Sequence, residues 1–315
     1  MRDPSPQFSV VIAAYNAART LPMTLESLKR QTLSAFEAIL VDDGSRDETP
    51  QIIASATAAD PRFNSVRLEN SGASAARNAG LERAAAPLVL FLDADDLLRE
   101  DALERFCAHM AMSEAPAAFG GHVKIDDCGR VLKGGAPSKF RAAPAKDTLP
   151  ALLARNFIVN GGALCMRTEA ARRAGGFRSG LKLGEDWEFW CRLALQGDFD
   201  RMDDFNPLLY RQSAGGANAR LSAHLLWRTE HPAADAAFSN PEIRAAVPAR
   251  ILARARRAFL GDAFWSAARL ALAEGRAGRF AVFLAVGLVR YPESLLRPRR
   301  IYLFLRSLAT PGAPR

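Results

Sequence analysis

Asp93, Asp95 and Asp96 place three carboxylates within four residues, directly after the apolar run Leu88-Val89-Leu90-Phe91-Leu92. At the tip of a buried strand such acids repel one another unless a cation or a set of donors lies among them. Mg²⁺ or Mn²⁺ suits that chemistry, because either takes oxygen ligands and joins one or two carboxylates to phosphate groups. Asp95 or Asp96 could instead cap a helix over residues 100–112, and a lone D-x-D triplet is too common to name a function. Asp43 follows a second apolar run, Ala38-Ile39-Leu40-Val41, where its carboxylate can accept the ring N–H of a uracil, thymine or guanine base. It can equally shape the Asp42-Asp43-Gly44 turn. Tyr15, after a third run, offers a ring for base stacking or a lid on the core.

The elements that must position these residues are legible from periodicity. Phe8-Ser9-Val10-Val11-Ile12 reads as a buried strand, and Leu21, Leu25 and Leu28 mark a helix with Pro22 in its first turn. Strand Ala38–Val41 leads into a turn at Asp43-Gly44 and a capping box from Ser45 to Glu48. A strand over Phe63–Leu68, an Ala-rich helix over 73–85, the strand 88–92 and a helix with Leu103, Phe106, Cys107 and Met110 on one stripe complete a βαβαβαβα series. That series predicts a doubly wound, mostly parallel α/β sheet, in which ligands bind beyond the carboxyl ends of the strands. Residues 113–160 are irregular, with Gly134-Gly135 and Pro137 suggesting loops that face a variable substrate. Gly184-Glu185-Asp186-Trp187 then opens a helical stripe of Trp187, Trp190, Cys191, Ala194 and Leu195, and the chain beyond about 216 reads as helices only.

Taken together, Val10-Val11-Ile12-Ala13-Ala14-Tyr15-Asn16, Val41-Asp42-Asp43-Gly44-Ser45, Gly72 to Gly80 with Arg77-Asn78, and Phe91-Leu92-Asp93-Ala94-Asp95-Asp96 resemble the family 2 glycosyltransferases of the GT-A fold. A fifth block runs from Gly175-Gly176-Phe177 to Gly184-Glu185-Asp186, so the resemblance covers about residues 7–212. It implies an inverting, metal-dependent glycosyltransferase of hexosyltransferase type, acting in bacterial surface polysaccharide or glycolipid synthesis. It implies that Tyr15 and Asp43 hold the nucleoside and that Arg77 helps bind the nucleotide half of the donor. Asp93, Asp95 and Asp96 would contact ribose and metal, Asp95 and Asp96 on the metal side, with Mg²⁺ or Mn²⁺ as the ion. Asp186, in the family's Glu-Asp pair with Glu185, would be the catalytic base. Ala13 stands where many relatives have proline, which touches only the shape of the nucleotide pocket. The QxxRW signature of processive synthases is missing, which favours transfer of a single sugar. The expected partners are a nucleoside-diphosphate sugar, taken as a UDP-sugar, and a saccharide or lipid-linked saccharide acceptor.

Other chemistries fit less well. A haloacid-dehalogenase-like phosphotransferase would use Asp93 as nucleophile and Asp95 as acid. Those enzymes carry the motif on the first strand and follow it with Thr or Val, whereas here it ends the fourth strand and Asp96 follows. An inactive nucleotide-sugar or membrane-binding module conflicts with an intact Asp186. Asp186 and Glu185 could still be plain helix N-terminal acids favoured by the dipole. Neither G-x-G-x-x-G nor G-x-x-x-x-G-K-[ST] occurs. Arg211 could meet a diphosphate or be an exposed strand-end arginine; His224 and His231 read as surface helix residues, and Trp187 and Trp190 as core.

The formal net charge of +8 is uneven: residues 241–315 hold 14 arginines against 4 acids, so the surplus belongs to that segment. Nucleic-acid binding by the whole chain loses its support. The division expected is a catalytic domain over 1–215, its nucleotide half about 7–112 and its acceptor half about 113–215, followed by a basic α-helical region over 216–315. In the latter, Phe280, Phe283, Leu284, Tyr302, Leu303 and Phe304 stand among Arg276, Arg279, Arg290, Arg297, Arg299, Arg300 and Arg306. That mixture suits either an interfacial helix on anionic lipid or a helical hairpin with its arginines outward. Cys107, Cys128, Cys165 and Cys191 are too scattered for a metal site and read as reduced, semi-buried thiols. Met1-Arg2-Asp3-Pro4 is not of signal-peptide design, and the longest apolar run, Phe280–Val289, is ten residues against the roughly 20 that span a bilayer. The expected location is the cytoplasm, peripherally on the inner face of the cell membrane.

Overall fold

A computed structural model describes residues 5–132, 146–212 and 231–292. The chain forms two compact units, Met1–Leu149 with Phe157–Ser213, and Pro150–Asn156 with Ala214–Arg315. The stretch around Gly134, Gly135 and Pro137, His224, and the arginines and aromatics from Arg297 to Arg306 lie outside the described residues.

The first unit begins β1 (Phe8–Ala14), α1 (Leu21–Lys29), β2 (Phe36–Asp42), α2 (Thr49–Ala59), β3 (Phe63–Arg67), α3 (Ala73–Arg83), β4 (Leu88–Asp93), β5 (Leu97–Leu98) and α4 (Ala102–Ala111). It continues with β6 (Ala117–Phe119), β7 (His122–Ile125), β8 (Leu164–Arg167), α6 (Thr168–Arg173), α7 (Glu185–Leu193), β9 (Asp200–Arg201) and β10 (Leu208–Arg211), while α5 (Thr148–Ala154) belongs mostly to the second unit. Seven strands make one sheet in the order β3-β2-β1-β4-β8-β6-β9, and β5-β10-β7 make a second. The first four are mutually parallel, while β8 runs antiparallel to both β4 and β6.

Val10, Val11 and Ile12 are all 0% exposed, because β1 is covered on both faces. Gly80 of α3 lies so close over Val11 that a Cβ would collide with its methyls, which sets α3 tightly on the sheet. Register brings the strand tips to one level: Ala13 pairs with Val41 on one side and Asp93 on the other. Tyr15, Asp43 and Asp93 therefore emerge along one edge. Trp187 and Trp190 are 1% and 0% exposed, as core residues.

Two local expectations fail. Ser45 does not cap α2: its hydroxyl accepts the N–H of Asn16, and Asp47, nearer the helix start, takes the N–H groups of Ala18 and Thr49. The cysteines are not uniformly semi-buried either; Cys165 and Cys191 are buried and Cys128 is exposed.

In the second unit, α8 (Pro232–Ser239), α9 (Pro241–Ala246), α10 (Ala249–Ala273) and α11 (Ala277–Arg290) follow one another. Asn240 caps α9, its side-chain oxygen accepting the N–H groups of Glu242 and Ile243 at the start of that helix. His231 is not a plain surface histidine: its Nδ1 accepts the N–H of Ala234 and its ring meets Phe259 edge-on at 4.9 Å. Gly275, at φ +69°, turns α10 back into α11, and Phe264, Ala267, Ala268, Ala271 and Phe283 form the small core between them. No described helix is long and apolar enough to cross a membrane.

Candidate active site

The tip of β4 carries Asp93, half-exposed, Asp95, exposed, and Asp96, 1% exposed. One oxygen from each lies within 4.8 Å of the others, the spacing at which a single divalent ion can meet all three. None of them caps α4, since β5 intervenes and α4 starts at Ala102. Asp93 accepts from Arg77 at 2.9 Å and from the Asn160 amide at 3.0 Å. Asp96 accepts from the same amide at 2.6 Å and from the Arg211 N–H at 2.7 Å. Burial, then Asp93, pushes the Asp96 carboxyl up to about 8. So the neutral donors and Arg77 do not fully offset the crowded negative charge. That residual deficit is what a bound cation would remove, and it makes the three acids a fitting donor set for Mg²⁺ or Mn²⁺.

Arg77 joins this cluster to a second one. Its guanidinium donates to Asp93 and, through the other terminal nitrogen, to Glu185 at 2.9 Å, with only 15% of its side chain exposed. Burial opposes its charge, but Asp93 and Glu185 more than offset this and hold it firmly protonated. The neighbouring Asn78 clasps the backbone of Phe177 by both its amide nitrogen and its oxygen, each at 2.8 Å. Gly176, at φ +61°, lies so near that oxygen that a Cβ has no room. Phe177 packs edge-on to Phe91 of β4 at 4.7 Å and also against Phe189 of α7 at 4.6 Å. Through these contacts α3 fixes the start of α7, and with it Glu185 and Asp186, beside the β4 tip. Gly184, left-handed at φ +76°, opens that helix.

Asp186 is partly exposed and accepts the N–H of Trp187 at 2.6 Å. Burial and then Glu185 raise its carboxyl to about 7, with Arg77 pulling the other way. A carboxylate so tuned is a competent proton acceptor near neutral pH.

At the adjoining tips Asp43 is 4% exposed, and its two oxygens accept the N–H groups of Ser71 at 2.6 Å and Gly72 at 2.8 Å. It fastens the loop between β3 and α3. Gly44, at φ +75°, completes the turn where a Cβ would come within 2.8 Å of the Asn70 nitrogen. Tyr15, 46% exposed, is no lid on the core; its ring is open to a ligand. Ala13 is half-buried between Val41 and Asp93.

The "Glycosyl transferase family 2" model matches residues 9–172. The chain belongs to that family. Its fold is GT-A-like: it resembles the Staphylococcus aureus protein TarS (residues 1–349, solved with UDP-GlcNAc), with TM-score 0.58 and 19% identity over 91% of this chain and 92% of that one. The mannosyltransferase PcManGT of Pyrobaculum calidifontis, solved with GDP-Man and Mn²⁺, aligns with TM-score 0.58 and 19% identity over 97% of this chain and 85% of that one. Among relatives by sequence, the succinoglycan biosynthesis protein ExoO of Rhizobium meliloti (strain 1021) is 34% identical over 163 residues, 50% of this chain and 44% of that protein. TuaG of Bacillus subtilis (strain 168), whose name places it in teichuronic acid biosynthesis, is 32% identical over 198 residues, 62% of this chain and 75% of that one. The chain spans less than half the length of several curated relatives it matches, ExoO among them.

Membership of family 2 sets the chain apart from the haloacid-dehalogenase-like phosphotransferases. Two residues of the site, Asn160 and Tyr210, escaped the sequence reading, while Arg211 stood there with two roles open. Asn160, 7% exposed, binds both Asp93 and Asp96, and its oxygen accepts the Gly162 N–H at 3.0 Å. Its one signal was the Asn160-Gly161-Gly162 triplet; a Cβ on Gly161 would come within 2.6 Å of the Phe91 carbonyl. Arg211 is not an exposed strand-end arginine but 3% exposed, donating to the carbonyls of Asp95, Asp126 and Asp127 at 2.6, 2.9 and 2.6 Å. Tyr210, beside it on β10, meets His122 edge-on at 5.7 Å. Burial raises its hydroxyl to about 12, followed by the charges of Asp96, Asp93, Asp95 and Asp186, so the phenol stays protonated beside the acids.

Proposed function

We propose that this chain transfers one hexose from a nucleoside-diphosphate sugar, a UDP-sugar, to an acceptor hydroxyl with inversion at the anomeric carbon. The observation that carries the reading is the Arg77 bridge, which couples the Asp93, Asp95 and Asp96 oxygens to the Glu185-Asp186 pair. Asp186 takes the proton of the acceptor hydroxyl as its oxygen bonds to the anomeric carbon and the bond from that carbon to the diphosphate breaks. One base and a single displacement give inversion, with Glu185 held out of the reaction by Arg77. Asp95 and Asp96, with Asp93, would hold Mg²⁺ or Mn²⁺, which when bound offsets charge on the departing diphosphate. Tyr15 stacks on the base. Asp43 has lone pairs beyond the two that Ser71 and Gly72 use, and one of these receives the ring N–H of the base. Arg77 contributes to donor binding by orienting Asp93 more than by direct contact.

The acceptor is a saccharide or lipid-linked saccharide of bacterial surface polysaccharide or glycolipid synthesis. The names of ExoO and TuaG support that class. The protein works in the cytoplasm, peripherally on the inner face of the cell membrane, the basic residues 216–315 forming a region distinct from the catalytic residues 1–215. A thermal-shift panel of nucleoside diphosphates with Mn²⁺ or Mg²⁺ tests the donor half: UDP with metal should stabilise the protein, and Asp95→Asn should abolish the metal-dependent part. Stabilisation by none of the nucleotides, in a folded sample, contradicts the proposal.

A further inference from the structure

Helix α11 divides by face in an unusual way. Phe283 and Gly287 are buried, Phe283 within the core it shares with Phe264, Ala267, Ala268 and Ala271 of α10. The opposite side shows Gly278, Ala281, Val282, Ala285, Leu288 and Val289, all exposed, at the three- and four-residue spacing of one helical stripe. Val282 is 45% exposed, Leu288 50% and Val289 82%. A helix at a water boundary ordinarily turns polar side chains outward. This one turns none on that stripe, and α11 contains no acid at all.

Charge selects the occupant. Arg276 and Arg290 stand exposed at the two ends of α11, and residues 241–315 carry 14 arginines against 4 acids. A second copy of the chain would bring the same surplus and repel it, whereas an anionic lipid surface offers apolar depth and phosphate together. Fourteen residues of helix extend about 21 Å, short of the roughly 30 Å hydrocarbon core, so such a helix lies in the plane of the interface.

We infer that α11 docks on an anionic phospholipid surface, with Val282, Leu288 and Val289 entering the headgroup–acyl boundary and Arg276 and Arg290 meeting the phosphates. This deepens the peripheral location proposed above by naming the face that provides it. Co-sedimentation of the full chain with phosphatidylglycerol-containing vesicles, against pure phosphatidylcholine vesicles, tests it. The native chain should sediment with the anionic vesicles and not with the neutral ones. The exposed double variant Val282→Glu/Leu288→Glu should bind at least tenfold more weakly, while UDP–Mn²⁺ stabilisation stays as in the native chain. Absence of binding by the native chain, or equal binding by the variant, overturns the inference. So does a native dimer that the variant splits in sedimentation velocity, which would make a second copy the occupant. A native chain that binds vesicles but is not stabilised by any nucleotide would remove the transferase reading and leave this one standing.

Discussion

The β4 tip and the first turn of α7 share Arg77 yet treat their carboxylates differently. At β4, side-chain and backbone donors converge from three places: Asn160 on Asp93 and Asp96, Arg211 on Asp96, and Arg77 on Asp93. At α7, Arg77 takes Glu185, while Asp186 receives the N–H of its own neighbour Trp187 and keeps a raised proton affinity. The first arrangement fixes oxygens in space for something that binds them together. The second leaves one carboxylate oriented and hungry for a proton. A single arginine therefore bridges the two clusters by neutralising one acid of each, Asp93 at β4 and Glu185 at α7.

Removing that arginine should blur the distinction most. Arg77→Gln leaves Asp93 and Glu185 without their cation in a largely buried setting, and a loss of about 3 kcal/mol in unfolding free energy is expected from denaturant titration. A loss below about 1 kcal/mol would mean that solvent already screens the bridge. Asn160→Ala should act on the β4 side alone, weakening Mn²⁺-dependent nucleotide binding by about 10–100-fold in calorimetry and leaving the α7 acids untouched. If metal dependence survives unchanged, Asn160 is a packing residue.

The smallest effect concerns stability and pH. Asp186 has its folded value at about 7, far above an ordinary carboxyl near 4. Between those values the folded state binds more protons than the unfolded one, so native stability falls as pH rises through that window. Asp186→Asn removes this loss. Without nucleotide or metal it should be more stable than the native chain at pH 8, by about 2 kcal/mol, with the gap closing toward pH 4. A gap of the same size at both pH values would show that the carboxyl is not desolvated.

Much of the fold was legible because β1, β2 and β4 are apolar on both faces and punctuated by helix-period segments. The tips then had to converge, and Asp43, Asp93, Asp95, Asp96 and Tyr15 were found along one edge. The supporting groups were not legible. Asn160 is one amide in an irregular stretch, and its partners lie 67 and 64 residues away. Arg211 reads from the sequence as either a diphosphate partner or an exposed arginine, because a charge at a strand end ordinarily meets water. The carbonyls of Asp95, Asp126 and Asp127 replace its water, and no local pattern announces three carbonyls from two loops. Asp43 was read for its chemistry, and its grip on Ser71 and Gly72 depends on where the β3–α3 loop folds. Ser45 failed as a cap for the same reason, drawn away by Asn16.

The proposed function makes nucleotide binding and chemistry separable, with Asp186 on the chemical side. Sugar transfer from a UDP-sugar by the native chain and by Asp186→Asn, measured alongside UDP–Mn²⁺ thermal stabilisation, tests it directly. The variant should keep the stabilisation and lose transfer by at least about 100-fold, the lower range for removing a general base. Transfer retained by the variant at a comparable rate would contradict it.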